Sequence, residues 1–201
     1  MTTSSAGFLA VPPDSPEVQQ HYDHDLAEDG YITHFTRAWS WRPEVFARFL
    51  DMRGALLEGS TLSQREIAVV VAATVSGRRD AYCSLAWGTK LAHAADEQTA
   101  AAVLRGEDPP LSVREAALLA WVRTVLADPN ATTAADVQAL RVAGFAEREV
   151  FDATALLGVR LMFSTVNDAL GLAPDHQLVE QAPPAVVAAV TYGRAPAPGD
   201  D

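Results

Sequence analysis

The sequence contains one cysteine, Cys83, among 201 residues, so an intramolecular disulfide is excluded. The scarcity of cysteine favours a reducing, cytoplasmic location. No apolar run reaches the roughly 20 residues that a membrane-spanning helix needs. Residues 1–10 have no lysine or arginine before their short apolar stretch, which is not typical of a signal peptide. We therefore expect no membrane partner.

Positive charge is also scarce, since 15 lysines and arginines face 26 aspartates and glutamates, for a formal net charge of −11. Such a chain repels a phosphate backbone, and no basic stripe offsets the repulsion. We therefore expect no nucleic-acid partner. His21 and His24, beside Asp23 and Asp25, resemble a metal site, but no Cys/His ligand set accompanies them. An exposed acidic segment explains them as well, and we predict neither a metal nor a cofactor.

Strand patterns are missing: apolar and polar residues nowhere alternate convincingly with a period of two. Apolar residues make up 49% of the chain, and alanine, a strong helix former, is abundant. We therefore predict an all-α domain over residues 19–175. An N-terminal arm over 1–18 and a partly disordered C-terminal extension over 176–201 flank it, because Ser, Thr, Gly and Pro there break any helical period. A mobile arm and an arm that wraps a neighbouring subunit remain alternatives.

The apolar periodicity and the break signals predict about seven helices. The two that are apolar nearly all round, at Ile67–Val75 and Leu156–Val166, are expected to be central. The predicted helices cover about 31–40, 43–59, 63–77, 80–91, 112–126, 133–144 and 146–170.

Two of these helices open with near copies of one string, Leu62–Glu66 and Leu111–Glu115, 49 positions apart. Each places a glutamate three residues after a serine, which predicts a capping box. A duplicated helical unit and two independent capping boxes both explain the likeness.

The segment Asp80–Gly88 contains the lone cysteine. If Asp80 caps the helix, Cys83 lies in its first turn, where the helix dipole favours thiolate. The Asp80 carboxylate disfavours thiolate by like charge. The sequence alone leaves the reactivity of Cys83 open, and a small buried apolar side chain is the alternative.

The order of these elements resembles the alkyl hydroperoxidase D (AhpD)-like, or carboxymuconolactone decarboxylase-like, superfamily, in its peroxidase-related branch. Four segments carry the resemblance, within about residues 30–175: Trp41–Val45, Ser63–Glu66, Tyr82–Ala86 and Phe163–Gly171. The resemblance implies an all-helical domain that forms homo-oligomers. It also implies an oxidoreductase with an antioxidant role acting on a small molecule such as an organic hydroperoxide.

Redox-active members of that superfamily carry Cys-x-x-Cys followed by a histidine. Cys83 matches the second cysteine, whereas Asp80 stands in place of the first and Trp87 in place of the histidine. Glu66 is the candidate for the family's proton-relay glutamate. A two-cysteine cycle cannot run within one chain, because Asp80 removes the second sulfur. Hydroperoxide reduction by Cys83 alone, completed by an external thiol, remains possible.

Two other functions stay open. The chain could be a non-redox, decarboxylase-like or lyase-like enzyme on a small organic acid, with Glu66, Asp80 and Tyr82 as acid–base groups. It could also be a non-catalytic helical oligomer. A polar pocket at the start of the Asp80 helix favours the enzyme, and a site filled solidly by Trp87 favours the oligomer.

Each remaining candidate also has a purely structural explanation. A capping role accounts for Asp80 and for Glu66, and Tyr82 and Trp87 could be core aromatics. His34 is a possible replacement base that reaches the site from a neighbouring helix.

Arg160 lies in an apolar stretch, where a buried arginine needs a carboxylate partner. We favour a salt bridge to Glu66 or Asp80, with the carboxylate of a substrate as the alternative. The predicted catalytic residues are thus Cys83, Glu66, Asp80 and Tyr82, and the predicted substrate-binding residues are Trp87, Arg160 and His34.

Overall fold

A computed structural model describes residues 7–199, in which the chain forms eleven α-helices and no strand. The all-α prediction is confirmed. No helix in this part of the chain is both long and apolar enough to cross a bilayer. The helices are α1 (Pro16–Glu28), α2 (His34–Trp39), α3 (Pro43–Gly59), α4 (Gln64–Gly77), α5 (Ala81–Ala94), α6 (Glu97–Leu104), α7 (Val113–Ala127), α8 (Ala134–Val142), α9 (Glu147–Ala169), α10 (His176–Gln181) and α11 (Pro184–Ala189).

Helix α4 is central, as its uninterrupted apolar run predicts. Val69, Val70 and Val71 have no exposed surface, because α5, α6, α7 and α9 all pack against this helix. A helix that is apolar all round needs neighbours on every side. Helix α9, the other predicted central helix, is more amphipathic: Leu156 and Leu157 are buried, but Met162 is exposed.

All seven predicted helices are present, with ends shifted by a few residues. Four further helices, α1, α6, α10 and α11, were not predicted. They are short or poor in large apolar residues, so their sequences carry little periodic signal. Helix α6 is an example: it is built around Ala100, Ala101 and Ala102, all buried, and alanine marks no face.

Helix α1 corrects the predicted N-terminal boundary. The Ser15 side chain accepts a hydrogen bond from the Val18 backbone N–H, and Pro16 occupies the first turn. Residues 16–18 therefore belong to a helix that buries Val18 and Tyr22, not to an arm. His21 and His24 lie on this helix rather than before the first helix; His24 is exposed, as expected, and His21 is partly buried. Residues 1–6 of the predicted arm lie outside the described residues.

The C-terminal extension contains α10 and α11 and then runs back over α5. Its Tyr192 hydroxyl donates a hydrogen bond to the Ser84 Oγ at 3.0 Å, and the Ala197 N–H donates to the Pro174 carbonyl at 2.8 Å. The extension thus carries helices that the sequence did not predict. Residues 200 and 201 lie outside the described residues, and the partial disorder of the extension stays a prediction.

Both predicted capping boxes are present, and they bind each other. Arg65 of the first pairs with Glu115 of the second, and Arg114 of the second pairs with Glu66 of the first, at 2.6 Å. Arg114 also reaches Glu149 of α9, at 3.0 Å. These five residues, called the clamp below, join the N-terminal ends of three helices.

Candidate functional site

The start of α5 has the predicted geometry. Asp80 is the N-cap, and its Oδ1 accepts a hydrogen bond from the Cys83 backbone N–H at 2.9 Å. Its Oδ2 accepts a hydrogen bond from the Ser164 hydroxyl of α9 at 2.5 Å. Asp80 is fully buried. Cys83 therefore lies in the first turn, beside a carboxylate that is held from two sides.

Cys83 lines a cavity of about 200 Å³ between α1, α2, α3, α5 and α9. Tyr82, Trp87 and Arg160, three of the predicted site residues, line it as well. The other lining residues are mostly aromatic or charged, and Asp80, Glu66 and His34 are not among them. They are His21, His24, Asp25, Asp29, Phe35, Thr36, Phe46, Phe49, Leu50, Arg53, Ala86, Lys90 and Phe163.

Arg160 is the most unusual of these residues, because it is 4% exposed and unpaired. Within residues 7–199 its guanidinium makes no ion pair, and its Nε has no hydrogen-bond partner. The Arg160 Cζ lies 4.7 Å from the centroid of the Trp87 ring. Burial lowers the pKa of Arg160 to about 10. The predicted salt bridge to Glu66 or Asp80 is therefore wrong, since both carboxylates are committed to other partners.

Two more cations share the cavity with Arg160. The Lys90 Nζ lies 4.6 Å from the centroid of the same Trp87 ring, so this indole contacts two positive charges. The Nε of Arg53, on α3, is buried without a partner. Burial, together with the charges of Arg160 and Arg53, lowers the pKa of Lys90. The positive charge of Arg53 thus helps to lower the pKa of both Lys90 and Arg160.

The Cys83 thiol is held in its protonated form at neutral pH. Its complete burial and the nearby Asp80 carboxylate raise its pKa well above the usual value, and the Arg160 guanidinium opposes them. Burial is the largest of these influences on the pKa of the Cys83 thiol. Deprotonation of this sulfur depends on the balance between Asp80 and Arg160.

Tyr82 lines the cavity, but its hydroxyl is hydrogen-bonded to a residue that does not line it. The hydroxyl donates a hydrogen bond to Asp175. His34 lies on the far side of that carboxylate: its Nδ1 donates to the Ala173 carbonyl at 2.9 Å and lies 3.2 Å from Asp175. Burial raises the pKa of Asp175, and His34 opposes the rise. His34 thus touches the site only through Asp175 and Tyr82, so its position does not support a base in contact with substrate.

Glu66 is separated from Cys83 by most of α4. It lies in the first turn of that helix, in the clamp, whereas Cys83 follows the other end of α4. The eleven steps along the chain from Glu66 to Gly77 span roughly 16 Å of helix axis. The capping role predicted for Glu66 is confirmed, and its position does not support the alternative role of proton relay to Cys83.

Sequence reasoning missed Arg53 and Lys90, and it missed that His21 and His24 face the cavity. One signal was available: Lys90 is the only lysine in the chain and lies three residues after Trp87, one helical turn away. A second signal was Arg53, a charged residue that interrupts the apolar stripe of α3. No group of three or more metal-ligating side chains is found among residues 7–199.

Comparison with known proteins supports the fold. No family model and no curated protein matches the chain. Among solved structures, an uncharacterized peroxidase-related protein from Silicibacter sp. TM1040 is similar at 22% identity with a TM-score of 0.78, over 89% of this chain and 96% of that one. A second, described as an alkylhydroperoxidase AhpD core from Ralstonia eutropha JMP134, is similar at 22% identity with a TM-score of 0.77, over 88% of this chain and 96% of that one.

A third similar structure is a debrominase, Bmp8. Its cysteine-to-alanine variant in complex with 2,3,4-tribromopyrrole is 12% identical with a TM-score of 0.69, over 93% of this chain and 98% of that one. The chain therefore has the AhpD-like fold, and the resemblance to peroxidase-related proteins drawn from the sequence is confirmed at the level of the fold.

Proposed function

We propose that the chain is a thiol-dependent enzyme that reduces an organic hydroperoxide through Cys83 alone. One observation carries the proposal: Cys83 and Arg160 line the same cavity. Cys83 is the only residue of the chain that can be oxidised reversibly to a sulfenic acid. The Arg160 guanidinium is buried and has no ion-pair partner among the described residues. Arg160 favours the thiolate, which is the reactive form of cysteine. The peroxidase-related and debrominase neighbours support an enzyme acting on a small molecule.

In the first step the Cys83 thiolate attacks one oxygen of the peroxide bond. An S–O bond forms, the O–O bond breaks, and the departing alkoxide takes a proton to become an alcohol. Cys83 is oxidised to a sulfenic acid by two electrons while the peroxide is reduced by two. Arg160 stabilises the negative charge as it moves from sulfur to the departing oxygen.

In the second step an external thiol reduces Cys83. The thiol condenses with the sulfenic acid, which releases water and leaves a mixed disulfide. A second thiol attacks this disulfide and frees Cys83 as a symmetrical disulfide departs. Two thiols are consumed for each peroxide, because the chain has no second cysteine to take part.

The positions of the acid–base candidates argue against a non-redox enzyme built on Glu66, Asp80 and Tyr82. Glu66 is in the clamp, both oxygens of Asp80 accept hydrogen bonds, and the Tyr82 hydroxyl is bound to Asp175. The cavity argues against a purely structural protein, because Trp87 leaves the space beside Cys83 open. A homo-oligomer and a cytoplasmic location stay predictions.

Removal of halogen from a small halogenated aromatic is a second candidate for the same thiol. The observation that favours it is the lining of aromatic rings, in which the Phe163 ring stacks on the Phe49 ring with centroids 5.3 Å apart. The neighbour with tribromopyrrole supports including brominated pyrroles among the substrates tested.

The test is to supply cumene hydroperoxide, or tribromopyrrole, with dithiothreitol and to follow consumption of each. We expect dithiothreitol-dependent turnover of one of them, and trapping of a sulfenic acid at Cys83 by dimedone in the peroxide case. Cys83→Ser should abolish turnover with an unchanged circular dichroism spectrum. Arg48→Met, which changes an exposed arginine on α3, is the matched control and should turn over normally. Turnover that survives Cys83→Ser, or a Cys83 inert to both substrates, would overturn the proposal.

A further inference from the structure

We propose that the cavity beside Cys83 is a binding site for a small planar organic acid, held as its anion by Arg53, Lys90 and Arg160. This inference rests on the proposed function in taking that cavity as the substrate site, and it adds that the hydroperoxide substrate has a planar body carrying an acidic group. A carboxylate attached to an aromatic ring is the simplest molecule that fits the description.

The first argument is the lack of counter-charges. Eight other arginines, which lie mainly at the surface, form ion pairs with carboxylates. Arg160 and Arg53 form none within the described residues, and each has a buried Nε without a hydrogen-bond partner. A buried cation without a partner is strongly unfavourable, and a bound anion removes the penalty. The chain has net charge −11, so this concentration of positive charge is local.

The second argument is convergence. Arg160 reaches the cavity from α9, Lys90 from α5 and Arg53 from α3. The Trp87 ring contacts both Lys90 and Arg160, at 4.6 and 4.7 Å from its centroid, so one side chain of the cavity wall links these two cations. Three cations on three separate helices, directed at one volume, form a site that a single anion can bridge.

The walls specify the shape of the ligand. Phe35, Phe46, Phe49 and Phe163 line the cavity with Trp87, and their flat faces favour a planar, partly apolar body. The cavity of about 200 Å³ limits that body to a small molecule. The carboxylate would lie towards the cations and the ring against the phenylalanines.

Two carboxylates also line the cavity, and neither forms an ion pair with its cations. Asp25 accepts hydrogen bonds from the backbone N–H and the hydroxyl of Thr33, each at 2.9 Å, so it is committed to the junction before α2. Asp29, the C-cap of α1, has a raised pKa because burial and the charges of Asp25 and Glu28 outweigh the opposing charges of His24 and Lys90. These acids therefore leave the three cations without direct partners.

The experiment compares benzoate with benzamide, which has nearly the same shape and no charge. Binding is measured by calorimetry on the Cys83→Ser protein, so that thiol chemistry plays no part. We expect saturable binding of benzoate at millimolar concentrations and at least about tenfold weaker binding of benzamide. Arg160→Met, Lys90→Met and Arg53→Met should each weaken benzoate at least about tenfold and leave benzamide nearly unchanged. Arg48→Met is the control.

Equal affinities for benzoate and benzamide, or no binding of benzoate, would overturn the inference. Should Arg160→Met fail to fold, the other two cavity variants decide the question, and the comparison of ligands needs no variant. The two proposals fail separately. Benzoate binding with an inert Cys83 overturns only the thiol chemistry, and a reactive Cys83 without benzoate binding overturns only the anion site.

Discussion

The clamp and the cavity both gather arginines between helices, yet they treat charge in opposite ways. In the clamp each arginine meets a glutamate of a neighbouring helix, and both glutamates of the capping boxes also accept backbone hydrogen bonds. In the cavity Arg160 and Arg53 have no such partners within residues 7–199. One region uses buried charge to join helices, and the other leaves it uncompensated.

The difference assigns a different role to each region. Paired charges with satisfied hydrogen bonds are explained by the fold itself. Unpaired buried charges destabilise the folded state, and such features are retained mainly at functional sites. Glu66 and Arg160 were both candidate site residues in the sequence. The difference in pairing assigns Glu66 to the fold and Arg160 to the functional site.

The first prediction concerns the Cys83 thiol, whose pKa is raised well above its usual value. At neutral pH the thiolate of Cys83 is a small fraction, because burial and Asp80 favour the protonated form. Below a thiol's pKa the thiolate fraction rises about tenfold per pH unit. The rate of alkylation by iodoacetamide should therefore rise about a hundredfold from pH 7 to 9 without reaching a plateau.

A charge-removing variant sharpens this test. Asn caps helices as well as Asp does, so Asp80→Asn preserves the cap while it removes the negative charge. Alkylation of Cys83 at pH 7 should be faster in this variant than in the native protein. Protein denatured in guanidinium is the reference and should show the ordinary profile, which levels off above a pKa of about 8.5. A native profile that coincides with the denatured one would contradict the buried, acid-flanked thiol.

The second prediction breaks the clamp. Arg114→Met leaves Glu66 and Glu149 without a cation, although both are largely buried. Loss of one partner from a buried pair is strongly destabilising, and the partial exposure of Arg114 reduces the effect. We expect the free energy of unfolding to fall by about 2 kcal/mol in urea titrations. Benzoate affinity should not change, and a loss of benzoate binding in a folded Arg114→Met protein would contradict the separation of the two regions.

The third prediction is that removal of a cavity cation raises the free energy of unfolding, whereas the clamp variant lowers it. Arg160→Met removes a buried charge that has no partner and replaces it with an apolar side chain of similar length. We expect the free energy of unfolding to rise by about 1 kcal/mol in ligand-free protein, while thiol-dependent turnover falls. The same urea titrations measure it, with Arg48→Met as the control. Destabilisation comparable to that of Arg114→Met would mean that Arg160 has a structural role.

The fold was largely predictable because its signals are local. The capping serines Ser63 and Ser112 and the apolar run of α4 depend on residues a few positions apart, and all were identified from the sequence. Helix α6 escaped because its buried residues are mostly alanine. Helix α1 escaped because its polar surface, with His21 and His24, conceals the two apolar positions that it buries.

The site was less predictable because its contacts join distant parts of the chain. The cap at Asp80 and the position of Cys83 in the first turn are local and were predicted. Whether Glu66 reaches Cys83 depends on the length and direction of α4, and whether Arg160 finds a carboxylate depends on how α9 packs. Arg53 and Lys90 meet Arg160 only after α3, α5 and α9 assemble, so the local signals at Arg53 and Lys90 do not indicate that the two side chains share a site.

The last prediction tests whether the two capping boxes, whose glutamates belong to the clamp, act independently of each other. Ser63 and Ser112 each accept a hydrogen bond from a backbone N–H, at 3.2 Å in both helices. Loss of such a cap destabilises a protein by about 1 kcal/mol. Ser63→Ala and Ser112→Ala should therefore each lower the free energy of unfolding by about 1 kcal/mol in urea. Because the two boxes share ion pairs, the double variant should depart from the sum of the single changes, and strict additivity would show that the boxes act independently.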